Sequence, residues 1–275
     1  MVKPAGLYFF TATFAAMIQL SVVIITLNEE KNLERCLQSV KNLADEIVVV
    51  DSLSTDKTVE IAQRYGAKII LQKFLGHIEQ KNFAAAHASH NWVLSLDADE
   101  AITPELEKNI LLVKANPQYS AYRFARLNNF CGKWIRHSGL YPDAKVRLFN
   151  RTKGEWTGEN PHDKWVLYDK AEKEGKLPGD MLHYSFYSIS DYVKKIEKYT
   201  EIAARQRVKK GKNYSKLQIW IVPKWKFLSD YIFRLGFLDG YEGLLICRLN
   251  AMETMIKYAK TRQYAAWQKD GKTID

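Results

Sequence analysis

The sequence predicts an α/β fold, with a mostly parallel sheet and a C-terminal helical extension rich in basic and aromatic residues. Three observations carry this. Short runs of β-branched residues alternate with helical stretches from about residue 20 to 115, the rhythm of a parallel sheet covered by helices. Apolar residues make up 47% and charged residues 26% of 275 positions, enough for a sizeable core, which excludes a disordered or disulfide-stapled chain. The net charge of +10 is polarised: residues 181–275 carry 18 Lys and Arg against nine Asp and Glu, whereas residues 1–180 are almost balanced at 23 to 22. The C-terminal third also holds 16 of the 34 aromatic residues. Such a segment suits nucleic acid, an anionic membrane or an anionic substrate.

The elements follow in order. Leu20–Leu27 (LSVVIITL) reads as a strand buried on both faces. Asn28 is placed to cap a helix bearing Glu29 and Glu30 in its first turn, with Leu33, Cys36, Leu37 and Val40 inward. Glu46–Val50 is a second strand ending at Asp51. Ser54 or Asp56 can cap the next helix, which Gly66 ends. Ala67–Leu71 is a third strand, His77–Ser89 an Ala-rich helix, and Trp92–Leu96 a fourth strand ending at Asp97. Thr103-Pro104 opens a helix that runs to about Ala115. Residues 118–180 read as mixed or antiparallel strands, at Ser120–Leu127 and Lys145–Phe149, with functional loops between. Helices return from Ile189, and 236–243 is a turn-rich break among them.

Residues before the first strand leave two readings. The uncharged stretch between Lys3 and Glu29 allows a signal anchor, but the strand at Leu20–Leu27 is the favoured reading, because what precedes it contains Thr, Gly and Pro and is short for a span; Met17 could then be the true start after a 16-residue extension. Cys36, Cys131 and Cys247 are far apart and form no CxxC pair, which fits a reducing compartment and no thiolate metal site.

In open α/β sheets, ligands sit beyond the carboxyl ends of the strands. Three such ends here are polar: Thr26-Leu27-Asn28-Glu29, Asp51-Ser52 and Asp97-Ala98-Asp99-Glu100. A lone Asp there is most often a helix cap. Two strands ending in Asp, with an Asp-x-Asp, form a more specific pattern, able to share a divalent cation and a diphosphate; Mn²⁺ and Mg²⁺ prefer such ligands. No GxxxxGK[ST] loop exists and no GxGxxG follows the first strand, so P-loop and dinucleotide chemistry are disfavoured.

LSVVIITLNEEKNLERCLQSV, EIVVVDSLSTDKTVEIAQRYGAKI and QKNFAAAHASHNWVLSLDADE resemble, in order and spacing, the inverting glycosyltransferases of family 2, which have the Rossmann-like GT-A fold. KVRLFNR, PHDKW, LHYSFYSISDYVKKIEKYT and FRLGFLDGYEGLLICRLNAMETMIKYAK resemble the subgroup of lipopolysaccharide core β-glucosyltransferases. The resemblance implies a hexosyltransferase that uses a UDP-sugar, glucose above all, and a divalent metal. It implies that Thr26, Asn28, Glu29 and Asp51 frame the nucleotide, that Lys81 lies near the donor, that Asp99 is a direct metal ligand with Asp97 on ribose or metal-bound water, and that His183 is a further metal ligand. Asp163 is the expected base, one methylene shorter than the subgroup's usual Glu, with Glu159 as its rival. The bland alternatives are caps for Asp51 and Asp97, a solvated helix face for Lys81, buried structural histidines for His162 and His183, and an ion pair for Arg147 in place of a phosphate or acceptor contact.

The expected organisation is an extension at 1–16, a catalytic domain at 17–188 (nucleotide half 17–115, acceptor half 116–188) and a helical membrane- or acceptor-associated extension at 189–275. Trp and Tyr mixed with Lys and Arg over 214–241 suit a membrane–water interface, and no apolar run there is long enough to span. The expected partners are therefore a UDP-sugar, a lipid-linked or lipopolysaccharide glycan and an anionic membrane surface, without nucleic acid, on the cytoplasmic face. The competing classes are a nucleotidyltransferase, which would want a Gly-rich basic loop where Asn28-Glu29-Glu30 stands, and a non-enzymatic membrane- or RNA-binding module.

Overall fold

The computed structural model describes residues 17–159 and 162–272. The expected extension at 1–16, Asn160, Pro161 and the side chain of His162 lie outside the described residues.

The first half is β1 (Leu20–Thr26), α1 (Leu33–Val40), β2 (Glu46–Asp51), α2 (Thr58–Arg64), β3 (Lys68–Leu71), α3 (His77–Ala86), β4 (Trp92–Asp97), β5 (Glu100–Ile102) and α4 (Pro104–Ala115). It continues through β6 (Ala121–Phe130), β7 (Lys133–Ile135), β8 (Asp143–Asn150), β9 (Gly154–Glu159), β10 (His162–Leu167) and β11 (Gly175–Phe186). The helices α5 (Ile189–Lys209), α6 (Lys216–Leu228) and α7 (Gly240–Lys269) close the chain.

The main sheet runs β3-β2-β1-β4-β8-β6-β11-β5, with β7 beside β6. Its β3-β2-β1-β4 portion is wholly parallel. Antiparallel pairing begins at β8, as expected of the middle of the chain. β1 shows why its sequence is a continuous apolar run. Val22 and Ile24 pack with Leu33, Cys36, Leu37 and Val40 of α1 on one face. Val23 packs on the other with Ala84 and Ala85 of α3 and with Trp156 and Trp165. Successive residues of a strand face opposite sides, so both parities must be apolar when both faces are covered.

Pairing register gathers the polar strand ends. Thr26 stands opposite Asp51 and Ile25 opposite Asp97. Thr103 caps α4, its Oγ1 accepting from Leu106 N at 3.3 Å, and Pro104 occupies the first turn. Gly66 follows α2 at φ +68°, the left-handed region its sequence position predicts.

Two expected caps are corrected. Asn28 does not open α1, which begins five residues later. Asn28 adopts φ +55°. Its Oδ1 accepts from Thr55 N at 2.8 Å and its N–H donates to Ser54 Oγ at 2.8 Å, so it pins the loop after β2 instead. Neither Ser54 nor Asp56 caps α2: Ser54 is held by Asp51, and Asp56 closes a turn onto Thr58 N at 3.0 Å. The short strand β5 carries no readable pattern; three residues cannot show a period, and only its antiparallel pairing with β11 defines it.

The helical extension is fixed to the end of the sheet. Phe130 and Ile135 pack with Tyr192 and Ile196 of α5 and with Ile246, Cys247 and Leu249 of α7. A 3-10 turn at Gly236–Asp239 separates the last helices, close to the expected break. Gly243 is required there, because a Cβ would come within 2.0 Å of Gly236 O. Among the described residues no helix is long and apolar enough to cross a membrane.

Candidate active site

A cavity of about 870 Å³ lies beyond the carboxyl ends of β1, β2 and β4. Thr26, Glu29, Lys81, Asp97, Asp99, Asp163 and His183 all line it, so seven of the nine expected site residues meet in one place. Thr26 is 5% exposed and its Oγ1 has no hydrogen-bond partner among the described residues. Burial pushes the Glu29 carboxyl up to about 7, against the opposing hydrogen bond from Asn32 Nδ2 at 2.7 Å.

Lys81 is the centre of the electrostatics. It projects from α3 and is 2% exposed, so the solvated-face reading is corrected. Its Nζ lies 2.8 Å from Asp163 and 3.2 Å from Asp97, over the Trp156 ring at 4.9 Å. Arg147 supplies a second cation, 2.9 Å from Asp97 and 2.7 Å from Glu100. Burial alone would raise the Asp97 and Asp163 carboxyls; Lys81 and Arg147 outweigh it and hold both below the usual carboxylate range. Both acids are therefore ionised at neutral pH. Arg147 forms an ion pair, one of its two expected alternatives, yet its Nε and Nη1 have no hydrogen-bond partner among the described residues.

Asp99, just after β4, and His183, on β11, come together although far apart in sequence, Nε2 to Oδ2 at 3.2 Å. His183 Nδ1 lies 2.7 Å from Asn128 Oδ1 and 2.6 Å from Ser185 Oγ. With its Nδ1 proton given to Asn128, Nε2 is an acceptor facing a carboxylate oxygen, an arrangement a shared cation satisfies. Asp97 is taken by Lys81 and Arg147, and among the described residues no cluster of three acidic, His or Cys ligands exists. The donor set that fits a metal is thus one carboxylate and one imidazole, leaving positions for phosphate oxygens and water. Carboxylate, phosphate and water oxygens suit Mn²⁺ and Mg²⁺, and the imidazole favours Mn²⁺ of the two.

Two expected residues do not line the cavity. Asn28 is exposed and spent on the 54–55 loop. Asp51 is 1% exposed, and its carboxylate accepts from the backbone N–H and hydroxyl of Ser54; it shapes the loop whose Ser52 lines the cavity. Glu159, the rival base, is exposed and paired with Lys210 at 3.1 Å, outside the cavity.

Sequence reasoning missed several members. Glu100 is 1% exposed, binds Arg147, accepts from Asp97 N at 2.9 Å and lies 3.6 Å from Arg126. Its position directly after Asp-x-Asp was its only signal. Trp156, Asn128, Lys195 and Tyr199 carried none, because only the sheet order and the packing of α5 bring them to the site.

The model of the family described as glycosyl transferase family 2 matches residues 21–175. An uncharacterized glycosyltransferase of Rickettsia typhi is 34% identical, over 90% of this chain and 88% of that one. The lipopolysaccharide core biosynthesis glycosyltransferase LpsC of Rhizobium meliloti is 29% identical, over 90% and 93%. Among solved structures, residues 1–349 of S. aureus TarS in complex with UDP match with a TM-score of 0.41 and 16% identity, over 94% of this chain and 93% of that chain.

Proposed function

The chain belongs to glycosyl transferase family 2, and from that premise we propose that it moves a hexose, glucose in the first instance, from a UDP-sugar to a lipid-linked glycan of the lipopolysaccharide core type. The likeness to LpsC across nine-tenths of the chain supports the acceptor class. The observation that carries the reading is the convergence, in one cavity, of the Asp99–His183 pair with the Lys81-bridged carboxylates Asp97 and Asp163.

The chemistry is a single in-line displacement. The acceptor hydroxyl oxygen bonds to the anomeric carbon as the bond to the diphosphate breaks, with inversion, through an oxocarbenium-like transition state. Asp163 accepts the hydroxyl proton; its low-lying carboxyl keeps it deprotonated and ready. Asp97, held as an anion by Lys81 and Arg147, would accept a hydrogen bond from a ribose hydroxyl or from water on the cation. Thr26 and Glu29 frame the nucleotide, and Lys81 fixes Asp163 against the donor. Asp99 and His183 would hold a divalent cation, which when bound would supply neutralisation of charge on the leaving UDP.

In this reading residues 17–115 hold the donor, 116–188 complete the acceptor side, and the following helices place the enzyme on the cytoplasmic face of an anionic membrane. Support for the last step is the exposed apolar and basic face of α6 and the turns after it, where Trp220, Trp225 and Phe233 stand beside Lys216 and Lys224.

The test is a thermal-shift panel of nucleotides and UDP-sugars with and without Mn²⁺, followed by turnover of the preferred donor. A Mn²⁺-dependent shift with UDP, lost in Asp99→Ala together with turnover while the melting transition stays cooperative, is the expected result. Full turnover in Asp99→Ala refutes the metal assignment.

A further inference from the structure

A second cavity, of about 800 Å³, shares Lys81, Asp97, Arg126, Asp163, Lys195 and Tyr199 with the first, so the two abut at the proposed base. Their charges differ. The walls of the first carry four Lys and Arg against five Asp and Glu; those of the second carry nine against four. The first thus suits a cation with its diphosphate, and the second suits an anion.

Much of the positive charge on the second cavity is already paired: Lys81 and Arg147 as above, Arg123 with Glu174, and Arg126 and Lys145 with Asp143. Three half-buried cations are left over. Lys195 of α5 lies over the rings of Phe186 and Tyr192, at 4.9 and 5.1 Å, and has no ion pair among the described residues. Arg207 of α5 donates to the Tyr214 hydroxyl and has no carboxylate partner among the described residues. Lys257 of α7 meets Glu253 only at 4.0 Å, and Glu253 is the carboxylate that faces Lys195 as well. Burial lowers both Lys195 and Lys257, the signature of ammonium groups short of counter-charge. Cations kept out of water without partners are costly, and an arriving anion removes that cost.

A third cavity, of about 330 Å³, also uses Arg207 and Lys257 and adds Trp225, Lys226 and Arg234, at the foot of the exposed aromatic face of α6. Arg207 and Lys257 therefore stand where the second cavity meets the proposed membrane side.

We propose that Arg207, Lys257 and Lys195 form an anion-reading subsite, and that the acceptor is a saccharide bearing a phosphate or carboxylate group seated there while its reactive hydroxyl lies at Asp163. This rests on the glycosyl-transfer reading for the word acceptor, but not for the anion site itself. A volume of this size accommodates a charged mono- or disaccharide.

The experiment is calorimetric titration of the full chain, saturated with UDP and Mn²⁺, with glucose 6-phosphate, glucose and inorganic phosphate. Glucose 6-phosphate is expected to bind beside UDP, and glucose more than tenfold more weakly. Arg207→Gln and Lys257→Gln are each expected to weaken glucose 6-phosphate about tenfold, the loss of one charge-assisted contact, with UDP affinity within twofold of the parent. Arg207→Lys should recover most of the binding; Lys257→Gln keeps the test open if loss of the Tyr214 contact unfolds Arg207→Gln. Displacement of glucose 6-phosphate by UDP, or unchanged binding in both Gln variants, overturns the proposal. So does a loss confined to recovery on phosphatidylglycerol vesicles, which would make these cations readers of lipid headgroups. Should UDP fail to bind while glucose 6-phosphate binds through Arg207 and Lys257, the glycosyl-transfer reading falls and the anion site stands.

Discussion

Lys81 Nζ stands 2.8 Å from the carboxylate of Asp163, although 82 residues separate them in the chain. The contact ties α3, beneath the donor-side strands, to the β9–β10 hairpin. It places a buried cation between the proposed base and Asp97. Stability and chemistry are therefore linked through one side chain, and each can be probed by changing it.

Lys81→Met removes the charge and keeps the bulk. Two carboxylates are then left partly buried with only Arg147 near them, at an expected cost of about 3 kcal/mol at neutral pH. Because Lys81 depresses the Asp97 and Asp163 carboxyls, their stabilising contribution is present above the ordinary carboxyl range and lost as pH falls through their lowered native values. The gap between parent and variant should thus be widest near pH 7 and narrow below pH ~4. Urea melts at pH 7 and pH 3.5 measure it; an equal gap at both would show that lost packing, not charge, accounts for the effect.

Asp163→Asn preserves shape and hydrogen bonding but abolishes the proton acceptor. Turnover should fall by about a thousandfold, within the span of general-base effects, while UDP affinity changes less than about twofold. Glu159→Gln should leave both nearly unaltered, since Glu159 is exposed, pairs with Lys210 and lies outside the cavity. Steady-state kinetics on the two variants decide between them, and a collapse at Glu159 alone reverses the assignment.

Glu29→Gln tests the raised carboxyl. Its native value of about 7 lies above the 4.5 of an ordinary glutamate carboxyl. The folded state therefore holds the proton more tightly, and stability falls as pH rises through that window. The amide cannot ionise, so the variant should match the parent at pH 5 and exceed it at pH 8 by about 1 kcal/mol, allowing for partial solvent screening. In a chain of this size that is about 2–4 °C in the melting temperature. A gain at pH 5 as large as at pH 8 would trace the effect to something other than ionisation.

Paired substitution of Trp220→Ser and Trp225→Ser removes two rings that are 66% and 59% exposed. The melting temperature should hold within about 2 °C, because neither ring belongs to the core. Recovery of the protein with phosphatidylglycerol vesicles in a flotation gradient should drop at least tenfold, on the order of the interfacial burial two large apolar groups supply. Undiminished recovery removes the membrane role from α6. Deleting the C-terminal helices is an unsuitable test, since Ile246, Cys247 and Leu249 pack against Phe130 and Tyr192.

Much of this molecule is written locally. Val22, Val23 and Ile24 sit in an unbroken β-branched run because both faces of β1 are covered, and Thr103-Pro104 opens α4 through a cap that needs no distant partner. The acids at the strand ends were legible for the same reason: strand and turn periods are short-range, and Asp97 ends β4 with Asp99 two residues on. Position along the chain also located the excess positive charge. What the sequence alone left open was which charges face each other. The pairing of Lys81 with Asp163, the approach of His183 to Asp99 and the burial of Glu100 under Arg147 all depend on how distant strands and helices are brought together. A side chain's role follows from its neighbours and its access to water, and for these pairs both are set by segments 47 to 82 residues away. Tertiary structure, by deciding where water is excluded, turned a list of acids and bases into two adjoining cavities of unlike charge.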